Sequence, residues 1–285
     1  MGEKMSNRIN WYPGHMFKAK KEIISQLKII DLVIEVIDAR VPISSHNEML
    51  DELTQNKEKL LIFTKADLVN ENYLKTFLAG YEQKGYNTIS ISTNNSVDRK
   101  KLFKKINDVA KVVIDKYAKK GINKTVRVLI MGMPNVGKSS VINFLVNKKK
   151  TTTGNKPGVT KQQQWIKLEN NIELLDTPGI LIPKIEDENR AYKLVCCSLI
   201  KEEIVELEHV CVWLVNYLIN HHKQSLMARY RLRDVDVEDI QTAFDAIAKS
   251  IGAVIKNDDY DYDRVSKTVI NDFRKQKFGL IILDE

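Results

Sequence analysis

Gly132-Met133-Pro134-Asn135-Val136-Gly137-Lys138-Ser139-Ser140, or GMPNVGKSS, is the stretch whose reading decides the fold. Gly132 to Ser139 matches G-x-x-x-x-G-K-[ST] in full, a loop whose backbone amides wrap phosphate. An apolar run, Val126 to Met131, leads into it, and a helix-like segment, Ser140 to Val146, leads out. In that context the glycines let the chain close on an anion, and the amides from Met133 through Ser140, with the helix N-terminus, face its charge. Lys138 is expected to bridge β- and γ-phosphates, and the Ser139 hydroxyl to bind Mg²⁺. A chance glycine-rich turn is the alternative.

Further apolar, β-branched runs lie on both sides: LVIEVIDAR (Leu32 to Arg40), LLIFTKAD (Leu60 to Asp67), TISIST (Thr88 to Thr93) and IELLDTPG (Ile172 to Gly179). Continuous runs of this kind suit strands buried on both faces of a parallel sheet. Between them Val97 to Lys120 has Leu102, Ile106, Val109, Val113 and Tyr117 at steps of three or four, with lysines opposite. The alternation predicts a doubly wound, mostly parallel α/β domain. After about Pro183 the strands stop. Leu207, Val210, Leu214 and Leu218 form one helical stripe, Val237, Ile240, Phe244, Ile247 and Ile251 another, and Asp263 to Lys275 a last helix. The expected organisation is an α/β domain over residues 1–183 and a small all-α domain over 184–285.

Two more segments carry chemistry. In Asp176-Thr177-Pro178-Gly179, Asp176 is expected to hold a Mg²⁺ water and the Gly179 amide to touch a γ-phosphate; alone, the four residues are a strand-end turn. Thr160, on the Lys156-Pro157-Gly158-Val159-Thr160 stretch, is either a second hydroxyl ligand for Mg²⁺ or a simple loop threonine. Thr64-Lys65-Ala66-Asp67 ends a strand, where loops line a ligand crevice. A carboxylate at Asp67 can accept from both the ring N–H and the exocyclic amine of guanine, and adenine offers neither in that geometry. Lys65 would lie along the base, backed by the Ser92-Thr93-Asn94 loop.

These residues resemble the translation-factor-type GTPases, whose base motif is Asn-Lys-x-Asp; here the first position is Thr64, a departure that touches the side-chain support of the loop and not the carboxylate. In that class the base motif follows the phosphate loop. Here it precedes it, so the chain looks like a circularly permuted P-loop GTPase followed by a helical domain. The permuted order, Pro134 and Asn135 in the loop, Trp11-Tyr12-Pro13-Gly14-His15-Met16 and the helical C-terminal part are similar to the ribosome biogenesis GTPase A family. The resemblance covers nearly the whole chain. It implies GTP and GDP as ligands with Mg²⁺, GTP hydrolysis in late assembly of the large ribosomal subunit, contact with its rRNA and ribosomal proteins, and turnover stimulated by the particle.

Many GTPases place a glutamine just after DTxG to orient the attacking water, and here that place is Ile180, which can donate or accept nothing. His15, on a Pro-Gly turn, can hydrogen-bond to water and titrates near neutral pH. From the residues alone a packed or surface histidine is the stronger reading, and the resemblance makes His15 catalytic. Asn135 either holds K⁺ beside the phosphates, as in related GTPases, or caps the loop.

Charge and composition bound the partners. The net charge of +8 divides into +12 for residues 1–186 (31 Lys+Arg against 19 Asp+Glu) and −4 for residues 187–285 (14 against 18). A field of that sign attracts phosphate polymers; solvated lysine faces are the plainer explanation. In the acidic half, contact with RNA would fall to Arg229-Tyr230-Arg231-Leu232-Arg233 and Arg274-Lys275-Gln276-Lys277, whose plain reading is helix-end charge. Cys196, Cys197 and Cys211 have neither disulfide nor metal spacing. With no secretory pattern and no apolar run of the roughly 20 residues a membrane span requires, the expected setting is a cytoplasmic monomer. A nucleotide-clamped RNA-binding module and a permuted GTPase in signalling remain as other functions.

Overall fold

The computed structural model describes residues 24–25, 27–146, 164–176, 185, 187–232, 239–255 and 259–284, apart from the side chains of Gln164 and Asp176. The chain divides into two compact units, Met1–Glu186 with Ile282–Glu285, and Asp187–Ile281. The return of the last four residues to the first unit has no counterpart in the sequence pattern.

The first unit is built on a six-stranded sheet: β1 (Leu32–Asp38), β2 (Glu58–Thr64), β3 (Asn87–Ser90), β4 (Val126–Met131), β5 (Gln164–Lys167) and β6 (Ile172–Asp176), in the order β3-β2-β1-β4-β6-β5. All neighbours pair parallel except β5 with β6. Every residue of β1 is buried, as a central strand covered on both faces requires. The helices are α1 (Glu48–Leu53), α2 (Glu71–Gln83), α3 (Ser96–Ala118) and α4 (Lys138–Val146). Leu102, Ile106, Val109 and Val113 of α3 are buried, and the Asn95 side chain caps its first turn by accepting from the Val97 N–H.

The register fixes the site. Asp38 aligns with Thr64, Phe63 with Ser90, and Glu35 with Met131, so β1, β2, β3 and β4 all end at one edge of the sheet. From β1 the sheet grows one way through β2 and β3, and from β4 the other way through β6 and β5. The reversal between β1 and β4 is where an open α/β sheet holds its ligand.

The second unit holds α5 (Glu188–Cys196), α6 (Leu207–Tyr230), α7 (Ile240–Ser250) and α8 (Tyr262–Arg274). Val210, Leu214 and Leu218 of α6 are buried, and α6 kinks at His222, where φ is −139°. No helix among the described residues is long and apolar enough to cross a membrane.

Candidate functional site

The phosphate loop runs from the end of β4 into α4, and three of its residues have positive φ: Gly132 (143°), Asn135 (59°) and Gly137 (105°). Gly132 is irreplaceable on steric grounds. A Cβ there would stand 2.4 Å from the carbonyl oxygen of Val36 on the neighbouring strand. Lys138 is buried, with its Nζ donating to the carbonyls of Met133 (3.0 Å) and Gly132 (3.2 Å). An ammonium at the mouth of such a loop suits an anion, because a charge-assisted bond to a phosphate oxygen is stronger than one to a neutral carbonyl. Ser139 follows at the first turn of α4 and offers a hydroxyl, a donor type that suits a hard cation.

The segment after β2 is tied directly to this loop. Thr64, 2 % exposed, donates from Oγ1 to the carbonyl of Val136 at 2.5 Å, and the carbonyl of Ile37 lies at 3.0 Å. Lys65 sits in the left-handed region (φ 58°) and donates from Nζ to the carbonyl of Asn135 at 3.1 Å. Asp67 is exposed, with its Oδ2 3.4 Å from Nδ2 of Asn94. The Ser92–Asn94 loop is anchored through the Ser92 N–H on Asp98, through the Asn94 N–H on the Ser92 hydroxyl, and through the Ala66 N–H on the Ile91 carbonyl. Two loops 70 residues apart in the chain thus meet at the sheet edge, in the reverse of the usual order.

The sequence reading missed the side chain beneath them. Asp38 is fully buried at the end of β1 and accepts from Arg40 Nε (3.0 Å), Arg40 Nη2 (2.7 Å) and Lys65 Nζ (2.6 Å). Burial alone would raise its pKa, but the charges of Arg40 and Lys65 outweigh that and hold it well below the usual carboxylate range. A charged Asp-Ala-Arg at the exit of a strand that is apolar apart from Glu35 was the signal available for it.

Comparison with known proteins agrees with this geometry. Residues 14–186 match the family described as RsgA GTPase, and residues 127–260 the family described as 50S ribosome-binding GTPase. A Bacillus cereus protein named ribosome biogenesis GTPase A is 41% identical over 272 residues, covering 95% of this chain and 92% of the relative. Its namesake in Priestia megaterium is 38% identical over 279 residues, covering 97% and 96%. The chain belongs to the ribosome biogenesis GTPase A family. Solved structures titled as GDP-bound YlqF and as GNP-bound YlqF from T. maritima match with TM-scores of 0.67 and 0.65, at 25% and 26% identity, over 93% and 94% of this chain and 98% of theirs. The chain is therefore a permuted GTPase, a GTP hydrolase whose family implies GTP, GDP and Mg²⁺.

Membership of the ribosome biogenesis GTPase A family does not place every expected residue. His15, Thr160 and Gly179 lie outside the described residues, as does the side chain of Asp176 at the end of β6. In the basic clusters of the helical unit, Arg231, Lys275 and Lys277 are exposed, and two arginines have partners within the unit. Arg229 is bound through Nε (2.9 Å) and Nη2 (2.8 Å) to Asp272, which also accepts from the hydroxyl of the buried Tyr230 at 2.9 Å. Arg274 donates to the carbonyls of Val195 (2.6 Å) and Cys196 (3.0 Å) at the end of α5. Both arginines close the helical unit, because a fork of N–H donors satisfies orphan carbonyls and a buried carboxylate. What the sequence did not reveal is a half-exposed ring ladder on α6. Trp213 stacks on Tyr217 (5.7 Å between centroids) and Tyr217 on His221 (4.5 Å).

One further cluster lies away from the phosphate loop. The ligand atoms of Glu35, His46 and Asp51 all fall within 4.8 Å of one another. His46 meets Glu35 through Nδ1 (3.0 Å) and Asp51 through Nε2 (2.8 Å), on two different edges of its ring. The ring thus bridges the two carboxylates through opposite nitrogens.

Proposed function

We propose that this chain binds GTP across Thr64–Asp67 and Gly132–Ser140, hydrolyses it, and uses the cycle to assist late assembly of the large ribosomal subunit; the names of its relatives speak of ribosome biogenesis, and the matching family of 50S binding. One observation carries the reading: the donors of Thr64 and Lys65 end on the carbonyls of Val136 and Asn135, so the base and phosphate loops form one site. In it Asp67 accepts from the guanine ring N–H and amine, Lys65 lies along the base, and Ser92, Thr93 and Asn94 back it. The amides of Met133 to Ser140 and the Lys138 ammonium take the phosphates.

Hydrolysis is attack of water oxygen on the γ-phosphorus, with cleavage of its bond to the β–γ bridging oxygen and release of GDP and phosphate. The residues that would hold Mg²⁺ are Ser139, Thr160 and, through water, Asp176; bound there, it offsets charge on the β- and γ-oxygens. Lys138 offsets the same charge from the loop side. His15 orients the water, since Ile180 cannot. Asn135 is the residue that would hold K⁺, whose charge would offset that of the phosphates. The lysine-rich first unit supplies affinity for rRNA phosphate and the ring ladder of Trp213, Tyr217 and His221 stacks on splayed bases. The three buried cysteines, which form no disulfide, are at home in the reducing cytoplasm, where the chain acts as a monomer.

The test is GTP turnover with and without large subunits, in Na⁺ and in K⁺, for the wild type and His15→Ala. The expected result is K⁺-dependent stimulation by the particle that His15→Ala removes while nucleotide affinity persists. Equal turnover with and without the particle would favour a nucleotide-clamped binding module.

A further inference from the structure

The last described residues lie against the loop that leaves β1. Asp284, 2 % exposed, accepts through Oδ2 from the N–H of Ile43 (2.7 Å) and of Ser44 (2.8 Å), and through Oδ1 from the Ser44 hydroxyl (2.5 Å). Two consecutive amides on one carboxylate are a charge-assisted clamp on a turn outside the sheet. Next to it the Leu283 N–H donates to the carbonyl of Arg40 at 2.8 Å. The Ile282 side chain joins an apolar cluster with Ile37, Ala39 and Phe63, the residues that flank Asp38 and precede Thr64.

Arg40 is therefore held at its backbone by the C-terminal segment while its guanidinium grips Asp38. Asp38 in turn holds Lys65, which ends on the phosphate loop at the carbonyl of Asn135. The chain of bonds runs from Asp284 and Leu283 to the Arg40–Ser44 turn, then to Asp38, then to Lys65. Each link is a buried or half-buried hydrogen bond, the regime in which such bonds fix orientation.

We infer that Ile282–Asp284 is a positioning element of the nucleotide site, acting through Arg40 and Asp38 on Lys65. Removing the Asp284 carboxylate takes away the acceptor shared by the buried Ser44 and the half-exposed Ile43 amides, loosens the Arg40 turn and lets the Asp38–Lys65 pair shift away from the phosphate loop. Coupling of this kind is reciprocal: what the docked segment adds to nucleotide affinity, bound nucleotide adds to its docking. The segment follows α8 in the chain, so it gives the end of the helical unit a covalent route to nucleotide state.

The inference rests on the reading that Lys65 and the phosphate loop hold one guanine nucleotide, and GDP binding to the full wild-type chain checks that first. GDP affinity is then measured calorimetrically for Asp284→Ala, and hydrogen exchange of the C-terminal peptide is followed in the wild type with and without saturating GDP. The expected result is GDP binding weaker by about tenfold, hydrolysis at saturating GTP within about twofold of wild type, and slower exchange at the Leu283 amide when GDP is present. Exchange at Leu283 that is the same with and without GDP overturns the inference even where wild-type binding is intact, as does unchanged affinity in a folded Asp284→Ala. Should that variant not fold, Ser44→Ala, which removes one of the three bonds to Asp284, and the wild-type exchange decide the matter.

Discussion

Thr64 stands where a guanine-binding motif ordinarily carries asparagine, and its contacts say what the first position is for. Its hydroxyl reaches the Val136 carbonyl inside the phosphate loop, so the residue locks one loop to the other and need not touch the base. Thr64→Val keeps the shape and removes the donor, leaving a buried carbonyl unpaired. GDP affinity should fall by about tenfold, on the order of 1–2 kcal/mol, while Thr64→Ser stays near wild type, in a nucleotide titration. His46 makes a different prediction at the same scale. Burial alone would lower its pKa, but hydrogen bonds to Asp51 and Glu35 override that and hold it up at about 9 from an ordinary 6.5. It faces Glu35 from β1, Asp51 from α1 (itself paired with Lys59 of β2), and the rings of Tyr81 and Tyr86. A raised histidine pKa means stabilisation fully present below about 6.5 and lost as pH rises through about 9. Urea unfolding should show the wild type losing up to roughly 2–3 kcal/mol more than His46→Gln over that window.

At the scale of elements, the phosphate loop is where sequence and structure agree most closely, because its geometry is dictated by backbone sterics. Gly132 at φ 143° approaches the backbone of Val36 so closely that any Cβ collides with a carbonyl, and a carbonyl in a paired strand cannot move aside. Gly132→Ala should abolish nucleotide binding in a titration with fluorescent GDP while far-UV circular dichroism still shows a folded sheet. Five of the six strands were legible because they lie in segments rich in apolar and β-branched residues that end in turn residues. The sixth, β5, is Gln-Trp-Ile-Lys, four residues on an edge with polar ends and an exposed Trp165, and nothing local separates that from a loop. Nor does periodicity reach the polar partnerships. Asp38 and Lys65 are 27 residues apart, and Ser44 and Asp284 are 240 apart, so only the folded sheet brings them together. Arg229 and Arg274 show the same limit, since only the folded helices reveal the carboxylate and carbonyls that they meet.

Over the whole molecule, charge is the property a sequence reports most directly, since summation needs no coordinates. The excess of +12 in residues 1–186 can be spread thinly or gathered on a face, and α3 decides this for the described part. Leu102, Ile106, Val109 and Val113 turn one side of that helix into the core. Lys100, Lys104 and Lys111, at steps of four and seven, are exposed together on another. Asp108, also exposed, lies between Lys104 and Lys111 on that face and offsets part of their charge, leaving the face basic overall. If that face meets rRNA phosphate, each lysine displaces counterion when the particle binds, and affinity falls with salt in proportion to the number of phosphates neutralised. Replacing all three with glutamine keeps helix propensity and removes the charge. The slope of log affinity for the large subunit against log salt should then flatten by about 2–3, at about 0.7–0.9 for each of the three phosphates no longer neutralised. GDP affinity, which we propose is set by Lys65, Thr64 and the phosphate loop, should not change. Parallel salt lines for variant and wild type would remove α3 from the RNA-facing surface and move the search to lysines elsewhere in the first unit.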